Sequence, residues 1–320
     1  MKLSIIIVSY NTAEMTVQTV QSVLASLSQV KWSKQVEIVV VDNDSHDDTI
    51  KKLRQIKDKR LKVYNTGANL GFGRGNNYGL ARSSGELVLF LNSDTVVREG
   101  AIEKLVDYYQ QHHRQPVELG LLAAQLLNPD GSYQPQGGDL PTLWSVAGTM
   151  LGLDDVPIVG KYLPAVQHTG KRFEVNEVET TEWLEKGWVG GTAVLTARKL
   201  LEQFGDWDEQ IFMYGEDQEL CYRWRRLGFH HGILTTAQIV HYGSVSAGSK
   251  NAVLGEIKGY FYFWRKYQPD WQLAVLGWIL TVAMWERVMV YRWLKRDKKR
   301  AEIYQAAMAE VKKQRQESRN

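Results

Sequence analysis

What this 320-residue chain lacks removes several classes of protein at once. It has one cysteine, Cys221, which excludes an internal disulfide and a cysteine-built zinc cage and fits a reducing compartment. Its formal charge of +3 gives no basic face for nucleic acid, since the lysines and arginines gather near the C-terminus. Met1 to Tyr10 carries a single basic residue and no small-residue cleavage site, so it reads as a first strand and not a signal peptide. The chain is therefore expected to stay inside the cell. A P-loop is missing. The glycine-rich stretch from Asn69 to Gly79 also falls short of a dinucleotide fingerprint, because Asn76 stands where the third glycine is needed and the stretch does not follow the first strand.

What is present is a large apolar fraction, 44%, arranged as alternating strands and helices. Leu3 to Val8 is a near-continuous apolar run ending at Ser9-Tyr10-Asn11, as in a buried parallel strand. Val17, Val20, Leu24 and Leu27 then recur at helical spacing, with Asn11 and Glu14 placed as a capping pattern. Ile38 to Val41 delivers Asp42 at a strand end, and Ser45 to Asp48 reads as a second capping box. A third strand spans Leu61 to Tyr64. The glycine-rich stretch beside Arg74 and Asn76 either closes on a diphosphate or base, or is a plain helix start. Leu87 to Leu91 suits a strand buried on both faces that ends in Asn92-Ser93-Asp94. These alternations imply an α/β fold with a mainly parallel sheet flanked by helices, and ligands gather at the carboxyl ends of such strands.

Further along, Ala101 to Tyr109 reads as a helix, Leu119 to Ala124 as a strand, and Asn128 to Gly131 as a turn. Gln134 to Thr181 has no clear period and could shape an acceptor site with loops. Trp188 to Thr196 reads as a strand containing Gly190-Gly191, where glycine marks either a bulge or close approach by a ligand or backbone. Glu216 and Asp217 open a helix with Leu220, Trp224 and Leu227 as its apolar stripe, Gly228 as its stop and Arg223, Arg225 and Arg226 as a solvated face. Acids belong at helix starts for electrostatic reasons alone. His241 ends a short β-like run and gains meaning only if it meets Asp94.

The ordered set Ile6-Ile7-Val8-Ser9-Tyr10-Asn11, Val40-Val41-Asp42-Asn43, Asn69-Leu70-Gly71-Phe72, Leu91-Asn92-Ser93-Asp94, Tyr214-Gly215-Glu216-Asp217 and His241-Tyr242-Gly243-Ser244 resembles the family 2 inverting glycosyltransferases of the GT-A fold, most closely the rhamnosyltransferase-like members. The likeness covers about residues 3 to 266. It implies a Rossmann-like sheet with a C-terminal helical appendage, Asp42 on the nucleobase, and an acidic metal motif at Asn92 and Asp94 completed by His241. Asp217 would be the base, with Glu216 beside it. Ser9, Tyr10, Asn11, Asn69, Gly71, Phe72, Arg74, Asn76 and Ser93 would join the donor site, and Trp188, Gly190, Gly191 and Trp207 the acceptor side. Three departures stand out. Asn92 replaces an aspartate, so it would reach the ion through water; Ser93 replaces a common proline; Trp207 replaces a usual phenylalanine.

The implied chemistry is transfer of a sugar from a nucleotide diphosphate, with dTDP-rhamnose the expected donor. Mn²⁺ or Mg²⁺ would be the cofactor, and a saccharide or polyprenyl-linked acceptor in cell-surface polysaccharide synthesis would receive the sugar. A sugar nucleotidyltransferase would carry a glycine-rich basic loop where Ser9-Tyr10-Asn11 stands, and a non-catalytic nucleotide-sugar-binding protein would have lost Asp217, Asp94 or His241. Residues 1–267 would form the catalytic domain, divided into a nucleotide-sugar half over 1–98 and an acceptor half over 99–267. Residues 268–320 would form an amphipathic basic appendage. There Trp271 to Trp285 stops short of the ~20 apolar residues that span a bilayer. With Trp293 and Leu294 among Arg292, Lys295, Arg296, Lys298, Lys299 and Arg300, it suits a helix lying on the inner face of an anionic cell membrane. The other reading of this region is a packed helix with a solvated tail.

Overall fold

A computed structural model describes residues 3–112, 118–156, 160–168, 175–243 and 249–318. The first half alternates β1 (Leu3–Ser9), α1 (Ala13–Ser26), β2 (Val36–Asp42), α2 (Thr49–Leu53), β3 (Leu61–Asn65), α3 (Phe72–Leu80), β4 (Leu87–Asn92) and β5 (Thr95–Val97). Then come α4 (Ala101–His112), β6 (Leu119–Leu127), α5 (Leu143–Met150), α6 (Val175–Thr180), β7 (Trp183–Lys186), β8 (Ala193–Ala197) and α7 (Arg198–Phe204). The chain continues through α8 (Glu216–Arg225), β9 (His230–His241), α9 (Lys250–Tyr267), α10 (Asp270–Met289) and α11 (Lys298–Glu317).

The strands form one sheet in the order β3-β2-β1-β4-β8-β6-β9-β5, with β7 also paired to β9. The expected parallel arrangement holds from β3 to β4. Beyond β4 the sheet is mixed, because β8 runs antiparallel to both β4 and β6 while β6 and β9 run parallel. The order reverses at β1, with β2 on one side and β4 on the other, which opens a crevice at the strand ends. Register aligns the polar tips there: Ser9 lies opposite Asp42, and Val8 opposite Asn92. Small residues let α3 settle on this sheet. A Cβ at Gly79 would meet Ile6 at 2.5 Å, and one at Gly75 would meet Val8 at 2.9 Å, so these two glycines serve close packing.

Several local expectations are corrected. Asn11 does not cap α1: it sits at φ 53°, where its Oδ1 accepts from the His46 amide, while Asp47 Oδ2 accepts from the Ala13 amide at the helix start. Glu14 instead pairs with Lys52. Nor does Ser45 cap α2; Asp47 Oδ1 takes the Thr49 amide at 3.0 Å. Trp188 to Thr192 is irregular, and the strand begins only at Ala193. In α8 the buried stripe is Leu220, Cys221 and Trp224, whereas Leu227 lies past the helix end and is exposed. Arg223 is no solvated residue: it forks onto the fully buried Glu219 with two contacts of 3.0 Å. Lys266 and Tyr267 of α9 reach the same carboxylate and tie α8 to the C-terminal helices.

The C-terminal helices pack on one another, and α10 also packs on α5. In α10 the residues Leu273, Leu276, Leu280, Ala283 and Met284 are buried, while Trp271, Trp278 and Trp285 are each more than half exposed. Val275, Val282 and Met289 fill the intervals of that outer stripe. The helix does not stop short after Trp285. It runs on through a π-helical turn, Val290–Leu294, so that Asp270–Leu294 is long and apolar enough to cross a membrane by length and composition alone.

Candidate active site

The site begins with register. Thr95 on β5 lies opposite His241 on β9, so the histidine comes beside Asp94, the residue before Thr95. His241 Nε2 stands 3.4 Å from Asp94 Oδ1, and the Tyr242 amide donates to the Asp94 carbonyl. Asp94 is 4% exposed, and its Oδ2 has no partner among the described residues. The other ring nitrogen of His241, Nδ1, is 2.7 Å from Gln134 Oε1. The Gln134 amide nitrogen donates to Asn128 Oδ1 and the His241 carbonyl, which fixes Oε1 as the atom facing the ring. Nδ1 must then donate, leaving the Nε2 lone pair toward Asp94. Two acceptors facing each other, one with an orphaned buried oxygen, fit a divalent cation between them. Among the described residues no third His, Cys, Asp or Glu joins them. Remaining positions suit phosphate oxygens and water, as is usual for Mg²⁺ at a phosphate.

A cleft of about 640 Å³ is lined by His241 of this pair and by residues of the C-terminal helices. It brings together Phe72, Asn92, Trp188, Gly191, Glu216, Asp217 and His241 from the expected site. The acidic pair is presented by a strained turn. Tyr214 has φ 73° and Gly215 φ 102°, and α9 closes on them through Gly255 and Gly259, where a Cβ at Gly259 would sit 2.4 Å from the Tyr214 carbonyl. A bulky aromatic in the left-handed region is a costly conformation that persists only where its surroundings hold it. Asp217 accepts from the amides of Gln218, at 2.9 Å, and Gly191. Burial raises the carboxyls of both acids, and the neighbouring Asp217 charge pushes Glu216 further up. The amide donors favour ionised Asp217, while Glu216 Oε2 is buried without a partner among the described residues. The two acids are thereby driven apart in proton affinity.

Other expected site residues lie elsewhere. Ser9 is fully buried, its hydroxyl spent on Thr12 and Thr16, and Asn76 is buried with its amide on the Phe72 carbonyl. Trp207 is a core residue, packed edge-on against Phe72 and Phe90 at 5.3 Å. It backs the cleft through Phe72 and through Gly191, where a Cβ would meet its ring at 3.0 Å. Asp42 is buried at its strand end. One of its carboxylate oxygens accepts from Ser45 and Asn65, and the other is unpartnered among the described residues. Tyr10, Asn69 and Arg74 are exposed, Arg74 near Glu209 at 3.7 Å. Gly71, at φ 83°, is pinned against the Phe212 carbonyl, and Ser93 shares its hydroxyl with Thr12. Gly190 precedes β8 and is not on the cleft wall, and Ser244 falls outside the described residues. Sequence reasoning missed Gln134, along with the far wall of Glu256, Tyr260, Arg287 and Tyr304. No motif marks any of them.

The family model described as glycosyl transferase family 2 matches residues 4–117. An N-acetylglucosaminyl-diphospho-decaprenol L-rhamnosyltransferase of Mycobacterium tuberculosis is 28% identical over 292 residues, covering 87% of this chain and 90% of the relative. Among solved structures, a mannosyltransferase from Pyrobaculum calidifontis in complex with GDP-Man and Mn²⁺ superposes with a TM-score of 0.55 at 14% identity, over 96% of this chain and 74% of that one. S. aureus TarS 1-349 gives 0.52 at 15% identity, over 98% and 92%. These structures share the GT-A fold described above.

Proposed function

The chain belongs to the family 2 glycosyltransferases, on their rhamnosyltransferase-like side, and from that premise we propose that its cleft moves a sugar from a nucleotide diphosphate to an acceptor hydroxyl with inversion. The observation that carries this reading is the facing of Asp94 and His241 beside a cleft that His241 and Asp217 both line. Asp94 and His241 would hold Mn²⁺ or Mg²⁺, with Asn92 reaching it through water. A divalent ion there supplies Lewis-acid stabilisation of the charge that builds on the leaving diphosphate.

The remaining steps fall to the chain's own groups. Asp217, kept ionised by two amide donors, takes the proton of the acceptor hydroxyl as that oxygen attacks the anomeric carbon, a contribution of roughly 10²- to 10⁴-fold. The C–O bond to the diphosphate breaks on the opposite face, so the anomeric configuration inverts without a covalent enzyme intermediate. Burial and the Asp217 charge raise Glu216 further, which leaves Asp217 the more readily ionised of the two. The unpartnered oxygen of Asp42 supports a role in reading the base. The donor we propose is dTDP-rhamnose, and the acceptor a saccharide on a polyprenyl diphosphate, as in the mycobacterial relative's name. Residues 1–267 would be the catalytic unit. Residues 268–320 would rest on the cytoplasmic face of the membrane through the tryptophan stripe of α10, among the cations that follow it.

The test is to incubate the purified protein with Mn²⁺ and a panel of nucleotide sugars and to detect released nucleotide diphosphate. Release from dTDP-rhamnose that stops in excess chelator is expected. Full turnover in chelator would remove the metal assignment, and a preference for GDP-sugars would remove the donor assignment.

A further inference from the structure

The far wall of the cleft is made by α9, α10 and α11, which present Glu256, Tyr260, Met284, Arg287 and Tyr304. Of the described residues that line the cleft, Arg287 is the only lysine or arginine, facing an interior otherwise rich in carboxylates. A lone arginine in such a place would be expected to pair with one of them, yet no carboxylate lies within 4.0 Å of it among the described residues. What holds it is backbone, together with Tyr304. Its Nη1 donates to the carbonyl of Met150, the last residue of α5, and to Ala283, the latter at 3.2 Å. The guanidinium carbon lies 5.9 Å from the centre of the Tyr304 ring. These contacts fix the plane of the group, and a side-chain hydrogen bond with Tyr304 holds it as well. With no carboxylate beside it among the described residues, its charge is left for an anion in the cleft, and arginine grips phosphate in a two-pronged way.

We propose that Arg287 anchors the anionic headgroup of the acceptor, a lipid-linked diphosphate, so that the sugar beyond it reaches Asp217. The inference rests on the transferase reading and deepens it at the acceptor end. One helix then serves both halves of an amphiphilic substrate. The inner face of α10 offers Met284 and Arg287 to the cleft, and its outer face offers Trp278, Val282 and Trp285 to the apolar surroundings of the lipid chain. Two residues on, Met289 continues the outer stripe, so headgroup and chain are separated by no more than the width of the helix. Burial raises the Glu256 carboxyl, against the opposing pull of Arg287 and of its hydrogen bond with Tyr260.

The competing role for Arg287 is structural, as the cap that ties α10 to the end of α5. Two acceptors with the same sugar separate the roles: farnesyl-diphospho-N-acetylglucosamine and octyl N-acetylglucosaminide, both with dTDP-rhamnose and Mn²⁺. Arg287→Gln should raise KM for the diphosphate acceptor about 10- to 100-fold, the scale of a charged hydrogen-bond pair. Its kcat, donor KM and KM for the octyl glycoside should stay near wild type. Arg287→Lys keeps the charge, guards against a folding failure in the first variant, and should recover part of the loss on the diphosphate acceptor alone. Equal losses on both acceptors, or no loss on either, would overturn the proposal. Wild-type turnover on the octyl glycoside checks the transferase reading separately, since it needs no anion anchor.

Discussion

Gln134 shows how much one side chain decides at the candidate metal pair. Its carbonyl oxygen takes the Nδ1 proton of His241 and turns the other nitrogen toward Asp94. A proton on Nε2 would be the competing way to join the histidine to the carboxylate, so binding must be measured directly. Gln134→Leu removes the acceptor that fixes the tautomer and should weaken Mn²⁺ affinity about 10- to 100-fold in calorimetric titration with dTDP present. Unchanged affinity would mean that the ring is oriented by other contacts. This residue was not legible in the sequence, because it lies 107 positions from its partner and meets it only once the turn after β6 folds back. Asp94, Asp217 and His241 were legible because each ends a strand or starts a helix, where polar tips are exposed to a crevice. Ser9 also ends a strand, yet its side chain turns inward. Which way a strand-end residue faces depends on register that a single strand does not carry.

At the scale of elements, the alternating strands and helices were readable from apolar runs, while caps were not. Asp47 satisfies helix starts that Asn11 and Ser45 seemed placed to serve, a substitution that only the folded loop permits. The second half of the sheet was also hidden, since antiparallel insertion of β8 between β4 and β6 leaves no mark in a short apolar strand. One consequence of that half is measurable. His231 on β9 is fully buried, accepts from the Leu121 amide at 3.2 Å and donates to the Cys221 carbonyl at 3.0 Å. Burial lowers its pKa to about 3 from the 6.5 of a free histidine. The folded state therefore stays neutral while the unfolded state takes up a proton below 6.5, so stability falls as pH falls from 6.5 toward 3. The slope is about 1.4 kcal/mol per pH unit from this group. Chemical denaturation of His231→Gln across that range should give a shallower decline than wild type. Parallel curves would mean that the histidine is protonated in the fold.

At the scale of the whole molecule, the C-terminal helices contribute residues to the cleft wall. Gly255 and Gly259 of α9 hold the turn that presents Asp217, and α10 lends Met284 and Arg287 to the cleft. The sequence showed an amphipathic basic region but not this wall, because the inner face of α10 reads as ordinary apolar packing. Its outer face bears on membrane contact. Trp278→Glu with Trp285→Glu should abolish sedimentation with vesicles containing anionic lipid, leaving the melting temperature within a few degrees. Binding equal to wild type would assign the stripe to another partner.

The central claim is that Asp217 removes the acceptor's proton, and its most direct measurement is the transfer rate of Asp217→Asn beside Glu216→Gln. Asparagine preserves shape and can still accept an amide hydrogen bond, but it cannot take a proton at neutral pH. The account predicts a loss of roughly 10² or more in kcat for Asp217→Asn, with melting and dTDP binding near wild type. Near wild-type transfer by Asp217→Asn with a dead Glu216→Gln would move the base by one residue, and activity in both variants would contradict the account.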